Sequence, residues 1–194
     1  MGGADKALIE IGGEPILARL VARLAPQCAG LVLNANGDPG RFASFGLPVV
    51  ADSVAGFAGP LAGVLAGLDY VAAHRPEVSH AVSVPTDTPF IPRDLVKRLA
   101  SAGKATHAEI AVASSQGRAH HTVALWPVAM RDALRQALVD EDIRSVSAFI
   151  GRHRSAMALW RVEPFDPFFN VNRPEDVERA EEICAKVTGG GRAT

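Results

Sequence analysis

Apolar positions follow two rhythms along the first half of the chain. Ile16, Leu17, Leu20, Val21 and Leu24 recur at three- and four-residue steps after Pro15, which predicts an amphipathic helix with proline in its first turn, closed by Pro26. The second rhythm is a short unbroken apolar run ending in turn residues. Residues 31–33 run into Asn34-Ala35-Asn36-Gly37-Asp38-Pro39, residues 49–51 into Asp52, and residues 81–84 into Pro85-Thr86-Asp87-Thr88-Pro89. Runs without alternation suit strands covered on both faces. Between them, Gly59-Pro60 opens a helix to about residue 73 whose Ala62, Gly63, Ala66 and Gly67 would let it lie close on a sheet, and Pro92 starts another to about residue 100.

Strands alternating with helices predict an α/β fold: three layers around a doubly wound, mostly parallel sheet. Ligands in that architecture bind beyond the carboxyl ends of the strands, so Asn34, Asp52 and Asp87 are expected along one edge. The second half is less regular. Strands are expected at 110–113, 122–126 and 156–162, and helices at 128–139 and 145–152. Pro174 begins a helix to about residue 187, with Glu175, Asp176 and Glu178 near its positive end and Glu182 four positions before Lys186. Residues 1–187 are expected to form one domain and 188–194, TGGGRAT, a disordered tail.

A length of 194 residues fits one domain at a prior of about 150 per domain. Formal net charge is −1, without a block of like charges, so the chain carries no field for nucleic acid. Cys28 and Cys184 lie far apart without CxxC spacing, which suggests neither a disulfide framework nor a zinc site. The N-terminus lacks a basic, apolar leader and no 18-residue apolar run exists, so a cytoplasmic protein without a membrane span is expected.

Lys6 follows Met1-Gly2-Gly3-Ala4-Asp5, and glycines beside a lysine suit a nucleotide polyphosphate, although a solvated terminal lysine fits the same spacing. Asp87, held between two prolines after a strand, suits magnesium, which takes one or two carboxylates and completes its shell with water and phosphates; a turn or cap role is equally compatible. Asn34 and Asp52 could hydrogen-bond a base or ribose, or simply form turns. Gly59-Pro60-Leu61-Ala62-Gly63 could aim helix amides at an anion or allow tight helix-to-sheet packing. His120 and His121, adjacent on a strand, point to opposite faces and cannot both bind one ion without a bend. Ser145 and Ser147 show no hydrolase arrangement.

The strings MGGADKAL (1–8), LNAN (33–36), VVADS (49–53), GPLAG (59–63), PTDTPFIP (85–92), HTVALW (121–126) and FFNVNRPED (168–176) resemble, in order, the bacterial molybdenum cofactor guanylyltransferase family. The resemblance implies a Rossmann-like nucleotidyltransferase fold and transfer of GMP from GTP to molybdopterin phosphate, with magnesium (Mg2+) and release of pyrophosphate. Carried over, Lys6 would contact GTP phosphates, Asn34 and Asp52 the nucleotide, Asp87 the nucleotide and magnesium, and Asn170 and Asn172 the acceptor side; Asp87 and Lys6 would be the catalytic pair. Transient contact with other cofactor-biosynthesis proteins or molybdoenzymes is also implied. Family members begin with an apolar strand and a Leu-Ala-Gly-Gly-x-x-x-Arg-Met-Gly loop, and here the chain starts at the position of that Met. The first strand is therefore expected to be missing, and the natural protein to be about 15–25 residues longer. CTP, a sugar-phosphate acceptor, or a catalytically impaired chain that still binds nucleotide or pterin are the alternatives.

Overall fold

The computed structural model describes residues 5–54, 56 and 59–189. Gly2 and Gly3 of the expected phosphate loop, and residues 190–194 of the expected tail, lie outside the described residues. Thr188 and Gly189, also expected in the tail, continue the last helix.

A single 3-10 turn, Lys6–Leu8, opens the described chain, capped by the Asp5 carboxylate, which accepts from the Ala7 amide. A small hairpin follows, β1 (Glu10–Ile11) and β2 (Glu14–Pro15), which the hydrophobic pattern did not foretell. Its turn holds Gly12 and Gly13 at φ 59° and 73°, the left-handed pair a primed two-residue turn requires. Pro15 precedes helix α1 (Ile16–Leu24) rather than entering its first turn, because it still pairs with Glu10 in extended backbone. The helix buries Ile16, Leu17, Leu20 and Leu24, each contributing about 1.5–3 kcal/mol. Pro26 lies in a further 3-10 turn, Ala25–Gln27.

Strand β3 (Leu33–Asn34) pairs in parallel with β4 (Val49–Val50). Helix α2 (Pro60–His74), strand β5 (His80–Ser83), helix α3 (Leu95–Thr106), strands β6 (Ile110–Ser115) and β7 (Arg118–Pro127), helices α4 (Arg131–Val139) and α5 (Val146–Ile150), strand β8 (Ser155–Trp160) and helix α6 (Pro174–Gly189) complete the chain. The larger sheet has the order β5-β7-β6-β8. β7 runs antiparallel to both β5 and β6, while β8 is parallel to β6. Three of its strands thus point one way, and the segments after β5, β6 and β8 meet at one edge.

Helices cover both faces, giving the three layers of an α/β fold. On one side α1, α3 and α6 supply Leu20, Leu24, Leu95, Leu99, Ala180 and Ile183 against Ala111, Ala113 and Trp160. On the other, α2, α4 and α5 supply Leu65, Leu68, Leu134 and Phe149 against Ile110, Val112 and Trp126. Every residue of β6 is buried, as a strand enclosed by both helix layers requires. β8 alternates instead: Ala156, Ala158 and Trp160 are buried, Met157 and Leu159 exposed.

The sheet is divided. No backbone pairing joins β3 to β5, and cavities of about 1230 and 370 Å3 lie between them, both lined by Val32, Ala81, Val82 and Val84. Each facing strand therefore has hydrogen-bonding groups that no neighbouring strand takes up.

Candidate functional site

The smaller cavity is a cleft at the edge of the sheet. Lys6, Asn34, Pro60, Gly63, Thr86, Asp87 and Thr122 are among its lining residues. Three of the six expected site residues, Lys6, Asn34 and Asp87, thus share one cleft, while Asp52, expected on the same edge, does not line it; Asp52, Asn170 and Asn172 are each hydrogen-bonded to one of the three. Asn170 Nδ2 donates to Asp87 Oδ1 at 3.2 Å. Lys6 Nζ donates to Asn172 Oδ1 at 2.7 Å. Asn34 Nδ2 donates to Asp52 Oδ1 and to the Val50 carbonyl, each at 3.1 Å.

Lys6 is placed by its turn. Asp5 caps that turn and pairs with Arg41 at 2.9 Å, and Arg41 in turn donates to the Asn36 carbonyl at 2.7 Å. The strand end bearing Asn34 and the turn bearing Lys6 are therefore tied together. Asn36 also exchanges two hydrogen bonds with Asp52, donating to Oδ2 at 2.8 Å and accepting from the Asp52 amide at 2.9 Å. The spacing of Asn34 and Asn36 puts both on one face of an extended segment, a signal in the sequence from which Asn36 could have been found.

Helix α2 owes its approach to glycine. A Cβ on Gly63 would overlap Asn34 Oδ1 and stand 3.2 Å from Asn34 Cγ, so the tight-packing expectation for 59–63 holds at that residue. Pro60 starts the helix at the cleft wall.

Burial pushes the Asp87 carboxyl above the ordinary carboxylate range, opposed by the Lys6 ammonium, a backbone hydrogen bond and the Thr88 hydroxyl. The segment after β8 closes over it, and the Val171 amide donates to the Asp87 carbonyl at 2.8 Å. Asp176 holds the far end of that segment, accepting from the Asn172 and Arg173 amides at 2.9 and 2.8 Å; those bonds hold its carboxyl below the usual range.

Among the described residues no three of His, Cys, Asp and Glu gather as a metal cage. A magnesium ion completed by water and phosphate oxygens needs less: one half-buried carboxylate whose charge is only partly balanced, and Asp87 meets that requirement. His120 and His121 do not act as a pair. His120 Nε2 lies 2.7 Å from Ser115 Oγ, while His121 is the next residue on β7. Ser145 caps α5, its hydroxyl accepting from the Ala148 amide. Among the described residues no helix is long and apolar enough to cross a membrane.

Comparison with known proteins adds four findings. The model of the MobA-like NTP transferase domain matches residues 1–156. A molybdenum cofactor guanylyltransferase from Rhodopseudomonas palustris (strain BisB5) is 58% identical over 186 residues, 96% of this chain and 89% of that protein. Molybdopterin-guanine dinucleotide biosynthesis protein A from Archaeoglobus fulgidus superposes with a TM-score of 0.71 at 21% identity, covering 95% of this chain and 92% of that one. The Mycobacterium tuberculosis H37Rv protein Rv0371c, in complex with manganese, has a TM-score of 0.67 at 21% identity, with 93% of each chain covered. The structural likenesses show a shared fold.

Proposed function

The chain belongs to the family of MobA-like NTP transferases, and on that footing we propose that it transfers GMP from GTP to the phosphate of molybdopterin, forming the guanine dinucleotide cofactor and pyrophosphate. One observation carries this assignment. Lys6, Asn34 and Asp87 converge on a single cleft, with Asn170 on Asp87 and Asn172 on Lys6.

An oxygen of the acceptor phosphate attacks the α-phosphorus of GTP. A new P–O bond forms, the α–β bridging bond breaks, and pyrophosphate leaves with the bonding electron pair. A phosphate monoester with a second pKa of about 6 is already largely dianionic near neutral pH, so no side chain has to remove a proton. Alignment and neutralisation of charge remain, and these suit the residues present. Lys6 donates to the triphosphate, exchanging its hydrogen bond with Asn172 for phosphate oxygens. Asn34 and Asp52 take the nucleoside end. Asn170 and Asn172 face the acceptor.

Asp87 would hold magnesium, which when bound spreads the negative charge of the triphosphate. The raised pKa of Asp87 fits this role, since an under-compensated carboxylate gains from a nearby cation. GTP and molybdopterin are the proposed substrates, the cytoplasm the proposed location, and other cofactor-biosynthesis proteins or molybdoenzymes the proposed transient partners.

The test is mass-spectrometric detection of the guanine dinucleotide from GTP, magnesium and molybdopterin, with CTP and ATP as competitors. Product formed only from CTP would overturn the choice of base. The divided sheet favours a second possibility, a chain that binds GTP yet turns it over poorly. Saturable GTP binding without product would distinguish it.

A further inference from the structure

At the end of β6, Ser115 is buried and lies between two groups from other parts of the chain. Its Oγ is 2.7 Å from His120 Nε2, and 3.0 and 3.1 Å from the two Asp166 carboxylate oxygens. A hydroxyl has one proton, and an ionised carboxylate only accepts. Ser115 therefore donates to Asp166, and its lone pair accepts from a proton on His120 Nε2. The order is His120 to Ser115 to Asp166, with the imidazole tautomer set by the carboxylate at its far end.

Asp166 belongs to the segment after β8. Its Oδ1 also accepts from the Phe168 amide at 3.0 Å, and its carbonyl accepts from the Phe169 amide at 3.1 Å, so this carboxylate both folds the segment and ties it to the sheet. The Phe168 ring packs against His120, with centroids 4.6 Å apart, and edge-on to Trp160 at 5.3 Å. Two residues further on, Asn170 meets Asp87, and two beyond that, Asn172 meets Lys6.

We propose that Ser115 and His120 are positioning residues for the transfer reaction: acting through Asp166, they hold the segment that presents Asn170 and Asn172 to the acceptor phosphate. This rests on the guanylyl-transfer assignment of the cleft. Neither residue is given a chemical step, and Ser115, at 1% exposure, is closed to substrate.

Three substitutions in the full chain test the chain of donors. Ser115→Ala removes its centre. His120→Phe keeps a ring against Phe168 but removes the donor, and His120→Gln restores a donor. Ser115→Ala loses a hydrogen bond to a charged group and is expected to raise the KM for molybdopterin about tenfold, while His120→Phe loses a neutral one and is expected to raise it about fivefold, an effect largely reversed in His120→Gln; the KM for GTP should stay within about twofold in each.

A second readout needs no turnover. Hydrogen exchange at the Val171 amide, which is bonded to the Asp87 carbonyl, should quicken about tenfold in Ser115→Ala and about fivefold in His120→Phe while β6 amides keep their protection. Unchanged Val171 exchange, or equal rises in both KM values without rescue by glutamine, overturns the positioning role. Should the unsubstituted chain make no guanine dinucleotide, the transfer assignment fails by itself, and the Val171 exchange still decides whether Ser115 and His120 hold the segment. Asp166→Asn, nearly isosteric, serves if Ser115→Ala does not fold.

Discussion

Gly63 and Asn34 occupy complementary space: the side chain of Asn34 fills the volume in which a Cβ on Gly63 would lie, its Cγ standing 3.2 Å from that point. A glycine inside α2 costs the helix about 1 kcal/mol relative to alanine. The fold accepts that cost in order to seat Asn34 against the helix, where it reaches Asp52 and the Val50 carbonyl.

Gly63→Ala should therefore separate stability from binding. The helix gains about 1 kcal/mol of propensity, while the displaced Asn34 loses two hydrogen bonds worth about the same each, so the melting temperature should move by only a few degrees. The KM for GTP should rise about tenfold, as expected when about 1.4 kcal/mol of nucleotide contact is lost. Calorimetry together with initial rates measures both. An unchanged KM would remove Asn34 from the nucleotide site.

Asp87→Asn is expected to abolish magnesium-dependent transfer and to raise the melting temperature at neutral pH. The sign follows from the raised folded-state pKa. The unfolded chain releases the Asp87 proton at lower pH than the native state does, so the native state loses stability as pH rises from the ordinary aspartate value to the raised one. Asparagine removes that ionisation. Retained turnover, or a lower melting temperature at pH 7, would contradict this account.

On the proposed assignment, the same group should set the acid side of the rate profile. Protonated Asp87 neither holds a cation nor accepts as strongly from Asn170, so kcat/KM for GTP should fall at a pH above that typical of an exposed aspartate. A profile measured at subsaturating magnesium tests this, because a bound cation by itself favours the ionised carboxylate.

Lys6→Ala should weaken GTP use far more than folding. Among the described residues the Lys6 ammonium hydrogen-bonds Asn172 near the surface and offsets part of the Asp87 charge, so stability should change by no more than about 0.5 kcal/mol. A rise of tenfold or more in the KM for GTP is the expected kinetic result. An unaltered KM would return Lys6 to the role of a surface lysine.

The division between β3 and β5 predicts uneven protection within one strand. Alternate amides of β5 point toward β7 and are paired there, while the others face the cavity. Hydrogen exchange should be at least about tenfold faster in the cavity-facing set. Uniform protection along His80–Ser83 would show that the groups facing the cavity are satisfied.

Much of the architecture was legible in local pattern. The apolar steps of Ile16 to Leu24, the prolines at 60 and 174, and the runs before Asn34, Asp52 and Asp87 each specify an element through the geometry of a few neighbouring residues. Two of the runs, 31–33 and 49–51, were read as longer than the strands they form, since β3 and β4 pair over two residues each, whereas 81–84 became β5 of equal length one residue earlier. The β1–β2 hairpin was missed although Gly12-Gly13 marks it, since its flanking strands are too short to show alternation.

Residue type and strand ends by themselves determined the α/β class and the edge that carries the cleft, and left Lys6, Asn34, Asp52 and Asp87 open between site roles and turn or surface roles; the family resemblance chose the site roles and added Asn170 and Asn172. Only the tertiary structure decided that β7 runs against its neighbours, that Gly63 makes room for Asn34, and that Ser115 links His120 to Asp166. Periodicity is written in backbone geometry over a few residues. A hydrogen bond such as that between Asn170 and Asp87, 83 positions apart, exists only once packed layers have brought the two segments to the same edge.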